Sequence, residues 1–145
     1  DYYASRGLGD VYKRQIMFHE VIEAEGAMYV LPGGMPGTIH LREHEGLGKV
    51  LKKAYKNNKY LAAICAAPTV LEQYGMLEGR KATSYPAMEE ELKSADYQTE
   101  KVVVDGKIIT SRGMGTAIDF AAKLVELLKG TKEKDELLES IVYGE

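Results

Sequence analysis

From Ile16 onward, the chain alternates short apolar runs with longer stretches of helical period. The run at 27–31 is short and apolar, as expected of a strand. The run at 60–64 is apolar throughout, which is typical of a strand buried on both faces of a parallel sheet. The first run is followed by PGGMPG, a proline and glycine stretch that marks the end of a strand. A helix is predicted over 42–57, because its apolar residues fall on one face and its lysines on the other.

The rest of the chain continues this alternation, which predicts an α/β layered sandwich with a mostly parallel sheet. In such sheets, ligands bind at the carboxyl ends of the strands. The strongest short hairpin signal is Asp105-Gly106, between two apolar runs. The predicted elements are a helix over 67–74 capped by Gly75, a strand over 81–84, a helix over 87–95, the hairpin over 101–111, a helix with Thr116 as candidate N-cap, and a last helix over 132–143.

Composition narrows the classes of function. The chain has 145 residues, enough for one domain with a buried core, and its net charge of -3 is spread along the sequence. No basic stripe indicates nucleic-acid binding, and no apolar run is long enough to cross a membrane. A single cysteine cannot form an internal disulfide, which favours a reducing compartment such as the cytoplasm. No metal site is expected, and we interpret His40 and His44 as a solvated surface pair.

The first fifteen residues differ from the rest of the chain. They follow neither the period of a helix nor that of a strand, and they lack the regions of a signal peptide. The stretch SRGLGDVYKRQ resembles translated sequencing-adapter read-through. We therefore expect residues 1–15 to be non-native and the domain, in partial form, to occupy residues 16–145.

Cys65 stands where this fold class places ligands. It comes at the end of an apolar strand and just before a helix with Pro68 in its first turn. The free N–H groups and the positive end of that helix favour a thiolate. Ala63, Ala66 and Ala67 are small, as a sharp strand-to-helix turn requires. Cysteine is also a frequent buried space-filler, so placement alone leaves a reactive and a structural interpretation open.

Four segments carry a resemblance to a known family. YVLPGGMPGT, AAICAAPTVL, KATSYP and IITSRGMGTAIDFAAKLVELL are together similar to the ThiJ/PfpI family, also called the DJ-one family. They occur in the family's order and spacing, and the likeness runs from about residue 20 to 142. The resemblance implies a flavodoxin-like three-layer α/β/α sandwich, usually a homodimer, that works without a cofactor.

The resemblance also implies the site. Cys65 matches the family's nucleophile-elbow cysteine, and the backbone N–H groups of Gly34 and Ala66 match its oxyanion-binding pair. Further residues are candidates for lining the site or its surroundings. These are Gly33, Tyr85, Ser111, Arg112 and Gly113.

The implied activity is that of a glyoxalase or deglycase in stress defence. The substrate would be a small 2-oxoaldehyde such as methylglyoxal, or a glycated protein. The alternative is a non-catalytic redox sensor or chaperone whose Cys65 is oxidised to a sulfinate. A peptidase is disfavoured because Ala66 stands where protease-like members carry histidine. An amidotransferase needs a late histidine, and none follows His44.

The chain departs from the family pattern at its N-terminus. In the family, the general acid/base is a glutamate after the first strand. Residues 1–15 contain no glutamate, and Glu20, Glu23 and Glu25 fall too close to the strand at 27–31. We therefore expect the first strand, the glutamate and the first helix to be absent, which would leave an apolar sheet edge exposed.

Overall fold

The computed structural model describes residue 18 and residues 25–144. The expected non-native segment 1–15, as well as Glu20 and Glu23, lies outside the described residues. The helices are α1 (Gly37–Glu43), α2 (Glu45–Lys56), α3 (Pro68–Gln73), α4 (Ala117–Lys129) and α5 (Thr131–Ser140). The strands are β1 (Met28–Leu31), β2 (Tyr60–Ile64), β3 (Lys81–Ala82), β4 (Asp96–Tyr97), β5 (Val102–Asp105) and β6 (Ile108–Ser111).

The main sheet has the strand order β1-β2-β6-β5. β1, β2 and β6 run parallel, and β5 joins β6 as the antiparallel hairpin predicted from Asp105-Gly106. β3 and β4 form a separate, two-stranded parallel ladder. The mostly parallel α/β sheet expected from the sequence is confirmed. Among the described strands β1 lies at an edge, where the side chain of Val30 is 48% exposed.

The core lies on both faces of β2. Leu61 and Ala63 pack on one face against α2 and α3, where Leu51 and Leu71 are fully buried. On the other face, Ala62 packs with residues of β6 and α4, including Phe120. Complete burial of each leucine side chain contributes about 1.5–3 kcal/mol to stability. This two-sided packing gives the three layers and fixes the carboxyl end of β2, where Cys65 follows.

The helix predicted over 42–57 begins later than expected. His44 has an extended backbone (φ -81°, ψ 99°), and its Nδ1 atom accepts a hydrogen bond from the N–H of Leu47 at 3.0 Å. The imidazole therefore caps α2. The residues before it form α1, a helix that the apolar pattern did not predict, and His40 is exposed there. In the described part of the chain, no group of three His, Cys, Asp or Glu residues could hold a metal ion.

Two other predicted elements are shorter than expected. The helix predicted over 87–95 is a 3₁₀ helix, Pro86–Glu91, and the strand predicted over 81–84 ends at Ala82. After Ala82 the backbone no longer pairs in the ladder. The N–H of Thr83 donates instead to the side-chain hydroxyl of Thr110 at 2.9 Å. None of the helices within residues 25–144 is both long enough and apolar enough to cross a membrane.

Candidate functional site

Cys65 occupies a strained backbone position. Its φ of +65° lies in the left-handed region, which costs a non-glycine residue about 1–2 kcal/mol. Two hydrogen bonds hold it there: its N–H donates to the Ser111 carbonyl at 3.0 Å, and its carbonyl accepts from the Tyr85 N–H at 2.8 Å. The turn from β2 to α3 is therefore the sharp elbow predicted from the sequence. The thiol, half-buried and unpaired, stands at its tip.

The strain at the elbow has a measurable consequence. We expect Cys65→Gly to be more stable than Cys65→Ala by about 1 kcal/mol, because both variants lack the thiol and only glycine adopts this φ freely. Urea unfolding of the two variants measures the difference in the free energy of unfolding. An alanine variant as stable as the glycine variant would show that the elbow carries no strain.

Gly33 packs directly against the elbow. A Cβ atom at this position would lie 2.6 Å from the Cβ of Cys65 and 2.7 Å from the carbonyl oxygen of Ile64. It would also lie 3.4 Å from the nitrogen of Ala66. Backbone atoms cannot yield at such distances, so only glycine fits. The loop after β1 thus approaches the backbone of the elbow as closely as two chain segments allow.

Gly34 and Ala66 each offer a backbone donor beside this contact. Gly34 has a φ of +93°, and its carbonyl accepts both the N–H and the hydroxyl of the fully buried Thr38, each at 2.9 Å. Within residues 25–144, the N–H groups of Gly34 and Ala66 donate to no protein acceptor. Free N–H groups held by rigid backbone are what stabilises an oxyanion.

The thiol opens into a cleft of about 280 Å³. Carbon atoms and backbone groups dominate its walls, and none of the described residues lining it is charged. The residues around it are Gly33, Gly34, Ile64, Cys65, Gly113, Met114 and Ala117. The side chain of Met114 stands at the cleft 93% exposed. No carboxylate or imidazole of the described chain lines the cleft. The proton donors that the described residues contribute to the cleft are therefore backbone N–H groups and the thiol.

The end of β6 and the loop after it hold three predicted residues, of which one lies in the cleft wall. Gly113 lines the cleft, and its N–H donates to the Thr116 hydroxyl at 3.0 Å. Ser111 is fully buried, and its hydroxyl donates to the Lys101 carbonyl at 2.6 Å and lies 2.7 Å from the Thr116 hydroxyl. Thr116 precedes α4 as predicted, but its hydroxyl ties this loop together and does not cap the helix.

Arg112 and Tyr85 lie beside the cleft but not in its wall. The Nη1 atom of Arg112 donates to the Thr99 carbonyl at 3.0 Å, which ties the guanidinium to the strand connection before β5. Tyr85 is 49% exposed and reaches the elbow through its backbone N–H. Its ring lies beside Gly113: a Cβ atom added at Gly113 would be 3.6 Å from Cδ2 of Tyr85.

The helix that follows the elbow is shorter than predicted. α3 has six residues, begins with Pro68 and ends at Gln73. A helix of this length aligns few peptide dipoles, so its positive end attracts a thiolate only weakly. The helix therefore contributes less of a positive N-terminal end beside Cys65 than the sequence suggested.

Three residues of the cleft wall were not predicted as site residues. Ile64 is the last residue of β2, Met114 belongs to a 3₁₀ turn, and Ala117 begins α4. Their positions at the carboxyl ends of β2 and β6 are the signal that could have identified them. Because their side chains are apolar, the residue types alone did not indicate a place in the site.

Comparison with protein families and with curated proteins gives a consistent result. The sequence model of the DJ-1/PfpI family matches residues 5–127. Protein dj-1beta of Drosophila melanogaster is 42% identical over 117 residues, which are 79% of this chain and 63% of that protein. The glutathione-independent glyoxalase DJR-1.2 of Caenorhabditis elegans is 36% identical over 113 residues, 77% of this chain and 60% of that protein. The chain thus spans less than two thirds of the length of these two relatives.

Solved structures share the fold. The crystal structure of Drosophila melanogaster DJ-1beta has a TM-score of 0.85 and 36% sequence identity, with 92% of this chain and 75% of that chain covered. Toxoplasma gondii DJ-1, solved in an oxidised form, has a TM-score of 0.83 and 32% identity, with 89% and 71% covered. These likenesses confirm the flavodoxin-like sandwich expected from the sequence.

Proposed function

The chain belongs to the DJ-1/PfpI family, and from this premise we propose that it is a cysteine-dependent glyoxalase of the cytoplasm, active without a cofactor on 2-oxoaldehydes such as methylglyoxal. The observation that carries the proposal is the strained elbow, which holds Cys65 at a cleft that Gly34 also lines. The N–H groups of Gly34 and of the adjoining Ala66 donate to no acceptor within residues 25–144. The named activity of the Caenorhabditis elegans relative supports it. We extend the proposal to glycated proteins as substrates and to a homodimeric assembly.

The elbow suits the first chemical step. The Cys65 thiolate attacks the aldehyde carbon, a C–S bond forms, and the electron pair of the carbonyl moves to its oxygen. The N–H groups of Gly34 and Ala66 donate to that oxyanion, which then takes up a proton to give a hemithioacetal. Because the donors belong to rigid backbone, they need no reorganisation during the reaction.

The remaining steps need a proton shuttle. A base removes the proton from the hemithioacetal carbon, and the same proton or another is delivered to the neighbouring carbon. The product is a thioester, which water cleaves to the hydroxy acid and the free thiol. No carboxylate or imidazole from residues 25–144 lines the cleft. In the family pattern a glutamate after the first strand fills this role, so the proposal assigns the shuttle to that N-terminal segment.

A redox sensor is the second candidate function. The oxidised Toxoplasma gondii relative favours it, and a sensor needs only an accessible thiol and donors for the oxygens added to sulfur. The half-buried Cys65 and the free N–H groups of Gly34 and Ala66 meet both needs without a proton shuttle. The two functions therefore differ in their requirement for the glutamate.

Lactate formation from methylglyoxal without glutathione tests the proposal. We would measure it for the 145-residue chain and for the full-length product of its source gene. We expect turnover in the second chain, because on this proposal its N-terminal segment supplies the glutamate that acts as the proton shuttle. A folded second chain that forms no lactate, while peroxide readily oxidises its Cys65, would overturn the enzyme in favour of the sensor.

A further inference from the structure

A second cleft lies at the end of the sheet opposite Cys65, and we propose that it binds the phosphate group of a small organic phosphate ester. Its volume is about 510 Å³. It is formed where the end of α2, the start of β2 and the turn between β5 and β6 meet. The residues lining it are Tyr55, Lys56, Asn58, Lys59, Arg80, Gly106, Lys107 and Ile108.

The cleft concentrates positive charge in an acidic chain. Lys56, Lys59, Arg80 and Lys107 all line it, although the whole chain has a net charge of -3. Like charges gathered in one concave surface repel each other, and a bound anion relieves that repulsion. A phosphate group suits several cations at once, because it carries up to two charges and three acceptor oxygens.

The carboxylate that contacts Arg80 is already engaged. Asp105 contacts Arg80 through Oδ1 at 3.4 Å, and its Oδ2 accepts the N–H of Lys81 at 2.8 Å. Within the described part of the chain, Lys56, Lys59 and Lys107 form no ion pair. Three lysines therefore remain available to an anion from solution.

Aromatic rings position two of the cations without neutralising them. The Nζ atom of Lys107 lies 3.8 Å from the centroid of the Tyr60 ring. The guanidinium of Arg80 lies 5.8 Å from the centroid of the Tyr55 ring and donates to the Tyr55 hydroxyl at 3.4 Å. Such cation–π contacts leave N–H donors free for a ligand. The ring of Tyr55, 40% exposed, offers an apolar surface to the organic part of an ester.

The shape of the cleft favours a small molecule. Asn58 (φ +55°) and Gly106 (φ +59°) make the tight turns that bring its walls together. A Cβ at Gly106 would lie 3.3 Å from Nη1 of Arg80, so glycine leaves room for the guanidinium. A volume of about 510 Å³ is that of a small-ligand pocket. The length of β2 separates it from Cys65 by roughly 16 Å, at about 3.3 Å per residue.

Calorimetric titration of the 145-residue chain with phenyl phosphate and with inorganic phosphate, at constant ionic strength, tests this site. We expect saturable binding of both, and tighter binding of phenyl phosphate if the Tyr55 ring contacts the ester. Lys59→Gln with Lys107→Gln should weaken binding by about tenfold per lysine, the effect of losing one charge-assisted hydrogen bond. Lys59→Arg with Lys107→Arg should retain most of it, since the charges remain.

The matched control is Lys93→Gln with Lys132→Gln, which makes the same change in net charge at two exposed positions outside the cleft. This variant should bind phosphate as the unchanged chain does, and so should Cys65→Ser. If both pairs of glutamine substitutions weakened phosphate binding equally, the loss would come from net charge alone, and the proposal would be overturned. The absence of saturable binding would overturn it as well. Preference for inorganic phosphate would retain the phosphate site but overturn the assignment of an ester.

Discussion

The Cys65→Ser variant should lose at least about 10³-fold in the rate of lactate formation from methylglyoxal, measured in the full-length product of the source gene. Removal of an enzyme's nucleophile costs this much or more. A serine hydroxyl is almost wholly protonated at neutral pH and needs a neighbouring base to become a nucleophile. Serine nucleophiles usually rely on a histidine base, and none of the described residues that line the cleft is a histidine.

Serine differs from cysteine by one atom, so the fold itself should be unaffected. Equal thermal midpoints for the variant and the unchanged protein would establish this. Lactate must be the measured product, because methylglyoxal also disappears by reacting with arginine and lysine side chains. Since Cys65 is the single cysteine of the 145-residue chain, a thiol reagent should titrate one group fewer in the variant than in the unchanged protein. Activity within tenfold of the unchanged protein would mean that another group attacks the aldehyde.

Gly33→Ala should have the second largest effect. Its Cβ would stand 2.6 Å from the Cβ of Cys65 and 2.7 Å from a backbone oxygen, so the loop after β1 or the elbow itself must move. Overpacking of this kind costs about 1–3 kcal/mol of stability. A displacement near 1 Å at a reacting atom can cost about 10²-fold in rate. We therefore expect both the free energy of unfolding and the rate of lactate formation to fall.

Gly37→Ala is the matched control for this substitution. An added Cβ at Gly37 meets nothing within 4 Å, and the residue begins α1. Alanine favours a helix over glycine, so this variant should be as stable as the unchanged protein or more stable. Urea unfolding and the lactate assay on both variants separate the close contact from a general effect of replacing glycine. If the two variants behave alike, Gly33 does not hold the elbow in place.

The position of the thiol could be predicted from sequence because its causes are local. A short apolar run predicts β2, small residues around Cys65 predict a sharp turn, and Asp105-Gly106 predicts the hairpin that brings Ser111 beside it. Each of these signals depends on a few consecutive residues. The order of the strands then places Cys65 at the carboxyl end of the sheet, where ligands bind.

The orientation of side chains could not be predicted in the same way. Arg112 donates a hydrogen bond to the Thr99 carbonyl, and the Ser111 hydroxyl donates one to the Lys101 carbonyl. Both partners precede β5 in the sequence, so these bonds join the two arms of the β5–β6 hairpin. The basic cleft depends even more on tertiary structure, since Lys59, Arg80 and Lys107 come from three separate segments. Such contacts join residues that are far apart in the sequence, so no periodicity along the chain predicts them.

The two backbone hydrogen bonds at Cys65 also determine how the site can be lost. One connects the elbow to β6 and the other to the segment before the 3₁₀ helix, so neither neighbour can move away without breaking a bond to Cys65. The elbow therefore belongs to the same cooperative folding unit as the centre of the sheet, and not to a loop that opens by itself. Local fluctuations of the surface leave the thiol in place. Partial unfolding that separates β6 from β2 removes the geometry of the elbow and the core together.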